Sequence, residues 1–125
     1  ILDVLRALKE RGIKTAVVSN KADSAVQVLC RQYFDNLFDV AIGEREQIAR
    51  KPAPDSVFEA LEELQVAKEE AVYIGDSEVD VKTAQNAELP MITVTWGFRG
   101  EEFLREQGAA TFAHTMEELL GLLNT

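Results

Sequence analysis

The chain is predicted to fold as an α/β protein built on a parallel sheet with helices on both faces. Two observations predict this. Helix-patterned and strand-patterned segments alternate along the whole length. The strand segments are also continuous apolar runs, the pattern of strands buried on both faces rather than on one. No internal repeat, low-complexity stretch or linker interrupts the pattern, so residues 1–125 read as one piece of a single domain. Sheets of this kind present their binding groups at the carboxyl ends of the strands.

Each element has a local reason. Ile1, Val4, Leu5 and Leu8 share one helical face, and Arg11-Gly12 supplies the stop. Thr15–Val18 reads as the first strand. Ala22, Ala25, Val26, Leu29, Cys30 and Tyr33 carry the next helical stripe, followed by a short apolar strand at Phe38–Ile42. A polar loop, Gly43 to Ala53, ends at Pro54, which is suited to a first helical turn. The helix it opens is expected to bury Val57, Phe58, Leu61 and Leu64. Ala71–Ile74 is the third strand, Val79–Ala87 a helix and Met91–Val94 the fourth strand. Beyond the Trp96-Gly97-Phe98 loop come a helix near Glu101–Gln107, a short Ala110–Phe112 segment and a last helix. Met116, Leu119, Leu120 and Leu123 give that helix its inner stripe.

Composition narrows the function classes. The chain has 125 residues, 46% hydrophobic, enough for a real core. Its formal net charge of −9 argues against a nucleic-acid surface, while leaving room for a small basic site. No apolar run approaches the roughly 18 residues of a membrane span. Cys30 is the single cysteine and lies on an apolar helical stripe, as a core thiol does. These features suit the cytoplasm. The sequence opens at Ile1 inside a helical pattern, which points to further sequence upstream.

Three features fall at predicted strand ends. Ser19-Asn20 ends the first strand with a hydroxyl and an amide, fit either to cap the next helix or to bind an anion. Arg50-Lys51-Pro52-Ala53-Pro54 holds a lysine beside two prolines. Such a lysine is either a surface turn residue or an ammonium aimed at negative charge. Gly75-Asp76-Ser77-Glu78-Val79-Asp80 follows the third strand directly. Its acidic residues either load a helix N-terminus, in the S-x-x-[DE] capping pattern, or gather oxygen ligands for Mg²⁺. Each feature alone has a plain structural explanation. Together, a hydroxyl, a lysine and an acidic pair in an order that would converge on one sheet edge are what a phosphoryl group needs.

These three stretches, with Val17-Val18 before Ser19, resemble the second, third and fourth motifs of the haloacid dehalogenase superfamily of phosphatases. Val94-Thr95-Trp96-Gly97-Phe98 is similar to its phosphoglycolate phosphatase-like branch. The resemblance implies a Rossmann-like core and a Mg²⁺ cofactor. It implies hydrolysis of a small phosphorylated metabolite through an aspartyl-phosphate intermediate. It assigns Ser19, Lys51 and Asp80 as catalytic, Ser19, Asn20 (through its backbone) and Lys51 to the substrate, and Asp76 to the metal. Asp80 would orient Lys51 or a metal-bound water.

One departure is large. The family's first motif, D-x-D-x-[TV], which carries the nucleophile, is absent from these residues, as is the cap. The chain therefore resembles the C-terminal part of a longer core domain, and residues 1–125 alone are expected to be inactive. A sugar phosphomutase of the same superfamily and a non-catalytic phosphate- or partner-binding module are the competing readings. Trp96 is expected to border an entrance or to pack over a loop. His114 reads as a plain loop or cap-region residue, and Glu62-Glu63, Glu101-Glu102 and Glu117-Glu118 as solvated helix faces.

Overall fold

The computed structural model describes residues 2–34, 37–46, 48–95 and 100–123. The chain divides into two compact units, Ile1–Ala67 and Lys68–Thr125. Both are α/β with parallel strands, as the alternating pattern predicts.

The first unit runs α1 (Leu2–Glu10), β1 (Ala16–Ala22), α2 (Asp23–Tyr33), β2 (Val40–Glu44) and α3 (Asp55–Leu64). Helix α1 buries Val4, Leu5 and Leu8 as its spacing requires. It ends where Gly12 takes φ 75°, a left-handed turn residue that a side chain would strain. Strands β1 and β2 pair in parallel, with Ala16, Val17 and Val18 opposite Val40, Ala41 and Ile42. Helices α2 and α3 both pack against this pair. Cys30 is buried in α2, and burial pushes its thiol pKa up, as expected of a core thiol.

Two expectations change here. Strand β1 does not stop at Val18. After a register shift it continues to Ala22, opposite Glu44. The cause is Gly43: a Cβ there would lie 2.5 Å from Asp23 Cα and 2.7 Å from the Lys21 carbonyl oxygen, so only glycine lets the two backbones stay this close. Helix α3 also turns differently. It buries Ser56, Val57, Ala60 and Leu64 and leaves Phe58 44% exposed, because residue 58 lies about 100° around the helix from residue 57.

The second unit runs through a 3₁₀ turn (Lys68–Glu70), β3 (Tyr73–Gly75), α4 (Glu78–Ala87), β4 (Met91–Val94), α5 (Glu101–Glu106), β5 (Phe112–Ala113) and α6 (Met116–Leu122). Its sheet has the order β3-β4-β5, all parallel. Ile92, Val94, Ala113 and Leu119 form a core cluster, against which Leu123 packs. Central β4 is buried from Ile92 to Val94, as a two-sided strand should be. Strands β1 and β3 are less covered: Ala16, Val17 and Val18 of β1 are half-buried and Ile74 is exposed. Among the described residues, each of these two strands has a single strand neighbour.

Candidate active site

Ser19, Asn20 and Lys51 lie in the first unit, and Asp76 and Asp80 in the second. Ser19 and Asn20 sit within β1 where its register shifts, between Val18 and Ala22. They are not helix caps: the residue before α2 is Ala22, which makes no side-chain cap bond. The Ser19 hydroxyl accepts the Lys21 N–H at 3.1 Å. The Asn20 side chain reaches across to the lysine loop and grips the main chain of Lys51 twice. Its amide nitrogen donates to the Lys51 carbonyl at 3.2 Å, and its oxygen accepts the Lys51 N–H at 2.9 Å. Asn20 therefore ties Lys51 to β1 over 31 residues of chain. The Lys51–Pro52 bond is cis, and Ala53 N–H closes the turn onto the Arg50 carbonyl at 2.9 Å.

A neighbouring cluster secures the end of β2. Asp23 Oδ1 accepts the Gly43 N–H at 2.9 Å and Arg45 Nε at 3.2 Å. The Gly43 N–H foremost, with the Arg45 guanidinium, holds the Asp23 carboxyl below its usual range. Arg45 also lies 3.5 Å from Glu63 of α3, so that glutamate is not merely solvated. This cluster gave no sequence signal, since its members are far apart in the chain.

In the second unit the acidic turn caps a helix, the first of the two roles considered for it. Ser77 caps α4, accepting the Asp80 N–H at 3.3 Å. Asp80 is buried beneath the turn. Its Oδ2 accepts the Asp76 N–H at 3.1 Å and the Ser77 hydroxyl at 3.0 Å, while its Oδ1 accepts the Tyr73 hydroxyl at 2.8 Å. Gly75 leaves the room this needs, because a Cβ there would fall 2.4 Å from Asp80 Cβ. Asp76 follows β3 directly, half-buried at the strand's carboxyl end. Among the described residues, no group of three or more His, Cys, Asp or Glu could hold a metal by itself. A single hard carboxylate, Asp76, is nonetheless a fitting donor for Mg²⁺, which takes one or two carboxylates with water and phosphate oxygens.

His114 lies in a cap region, directly before Thr115, the N-cap of α6. Its ring nitrogens lie 2.5 Å from Glu101 Oε1 and 3.2 Å from Glu118 Oε2. Arg105 also grips Glu101, at 2.9 and 3.1 Å. The bond to Glu101, chiefly, raises the His114 pKa, and His114 in turn lowers those of both glutamates. A raised folded-state pKa means stability fully present below the unfolded histidine's value of roughly 6.5 and lost as pH rises through the folded value. Melting curves of the wild type and His114→Gln should therefore differ at pH 6 and converge at alkaline pH. A difference that does not change with pH would contradict the clasp. Trp96 lies outside the described residues. None of the described helices is long and apolar enough to cross a membrane.

Parallel-stranded α/β folds present binding groups at the carboxyl ends of their strands; one unit has a tethered lysine loop there and the other an acidic turn. Residues 1–94 match the haloacid dehalogenase-like hydrolase family, and the chain belongs to that family. It is 35% identical to the phosphoglycolate phosphatase of Rhodobacter capsulatus, over 98% of this chain and 55% of that protein. It is 32% identical to the pyrophosphatase PpaX of Listeria monocytogenes, over 98% of this chain and 57% of that one. Its fold superposes with TM-score 0.96 on a crystal structure of a candidate phosphoglycolate phosphatase from Lactobacillus delbrueckii subsp. bulgaricus. That match has 47% identity and covers 98% of this chain and 52% of the other. The chain thus spans little more than half the length of the relatives it matches.

Proposed function

We propose that residues 1–125 are part of the core domain of a Mg²⁺-dependent cytoplasmic phosphatase acting on a small phosphorylated metabolite of the phosphoglycolate kind. The observation that carries this reading is the Asp76 turn. A buried carboxylate, Asp80, fixes its backbone from beneath, and Asp76 follows at the strand end, where hard-cation ligands are useful. Ser19 donates its hydroxyl to a phosphoryl oxygen. Lys51, its main chain held by Asn20, neutralises charge that develops on the phosphoryl oxygens and the nucleophile. The nucleophilic aspartate lies outside these residues. Asp76 holds Mg²⁺, which supplies further charge neutralisation on the transferring group when bound.

Pyrophosphate is a second substrate reading, favoured by the relatives named pyrophosphatase. A sugar phosphomutase is favoured by a fold match of TM-score 0.80 and 28% identity to a candidate β-phosphoglucomutase from Thermotoga maritima. A screen of the complete polypeptide against phosphoglycolate, pyrophosphate and sugar phosphates separates them. The phosphatase reading expects inorganic phosphate released from phosphoglycolate, with a trapped acyl phosphate that hydrolyses to free enzyme. Phosphate moved to a second hydroxyl, with none released, would favour the mutase. Neither release nor transfer would leave the binding-module reading.

A further inference from the structure

We propose that Tyr73 is a positioning residue for the Asp76 turn, acting through Asp80. The meaning of that turn rests on the phosphatase reading; the contact network does not. Asp80 is 8% exposed, and a carboxylate so buried needs donors on both oxygens. The turn serves one oxygen: Asp76 N–H and Ser77 hydroxyl both point at Oδ2. The Tyr73 hydroxyl serves the other, Oδ1, at 2.8 Å. A planar carboxylate held at both ends cannot rotate without giving up a bond, so the tyrosine fixes the orientation in which Oδ2 meets the Asp76 amide.

Tyr73 is well placed to act as a fixed point. It is buried on β3, opposite Met91 of β4, and the sheet determines where its ring lies. Burial, and then the Asp80 charge, push its hydroxyl pKa up, so the group stays a donor across the working pH range. A strand position in a core is ordinarily filled by an apolar side chain. Burying a hydroxyl there is unfavourable unless it is bonded, and this one is bonded to the carboxylate that organises the turn.

The test is Tyr73→Phe in the complete polypeptide, which deletes one oxygen and keeps the ring. Two readouts are taken: amide hydrogen exchange at Asp76, and Mg²⁺ affinity by calorimetric titration. Thr93, whose N–H bonds the Thr111 carbonyl at 2.8 Å in the same unit, is the internal reference for exchange. The expected result is exchange at Asp76 about tenfold faster relative to Thr93, and Mg²⁺ affinity weakened by about tenfold, the size usual for removing an outer partner of a ligand. Replacement by 3-fluorotyrosine, which keeps the hydroxyl, should restore both. A general loss of stability would speed both amides alike, and an unchanged Asp76-to-Thr93 ratio overturns the proposal. Wild-type protein that binds no Mg²⁺ would instead overturn the metal assignment, while the exchange ratio still decides the role of Tyr73.

Discussion

Asp76→Asn in the complete polypeptide is expected to lower Mg²⁺-dependent phosphate release by about a thousandfold, or about 4 kcal/mol of transition-state stabilisation. The substitution keeps the size of the side chain and removes its charge. A neutral amide oxygen is a poor substitute for a carboxylate at a hard divalent cation. The fold should survive, because the bond that organises the turn uses the Asp76 backbone N–H, which the variant retains. Stability should therefore stay within about 0.5 kcal/mol of wild type. The check is a Mg²⁺ titration of kcat beside a thermal melt. Activity lost with the melt unchanged supports the assignment, and activity retained removes Asp76 from the metal site.

Gly75→Ala should have the largest effect on stability. Its Cβ would lie 2.4 Å from Asp80 Cβ, 2.5 Å from Cγ and 2.7 Å from Oδ2. These are not contacts with the loose end of a flexible chain. Asp80 is buried and fastened by Tyr73, Ser77 and the Asp76 amide, so it can move only by breaking those bonds. Overpacking of this kind costs about 1–3 kcal/mol, and a lost hydrogen bond to a charged group adds about 1.5–3 kcal/mol. The expected destabilisation is thus about 3 kcal/mol or more, read from the urea midpoint with the slope unchanged. A shift below about 0.5 kcal/mol would mean that Asp80 is not held as described.

The site was legible where its parts are close in sequence. The Ser77-to-Asp80 spacing announced a helix start, and the structure contains that cap. Asp76 could be placed after β3 because a glycine and an apolar, strand-patterned run precede it. The partners that give these residues their geometry were not legible. Tyr73 looks like any strand residue until its hydroxyl is seen against Asp80. Asn20 meets Lys51 over a separation of 31 residues that no local pattern encodes. His114 had one partner within reach of reading, Glu118 four residues on, and a second, Glu101, that only the packing of α5 reveals.

The same division holds for the fold. Element order and type followed from periodicity, and Met91–Val94 was placed to the residue. Boundaries moved where a tertiary contact won over local propensity. Strand β1 runs on to Ala22 because Gly43 admits a second backbone, and nothing within residues 15–22 foretells that. Phe58 was expected inside because it is large and apolar. The sheet sets which face of α3 is buried, and Ser56 and Ala60 occupy that face instead.

The most direct measurement is inorganic phosphate release from phosphoglycolate by the complete polypeptide. It is taken after exhaustive treatment with EDTA, and again after Mg²⁺ is restored. The account predicts no release without the metal and full recovery with it, abolished by Asp76→Asn. Release that persists in EDTA, or recovery that does not depend on Asp76, would contradict it.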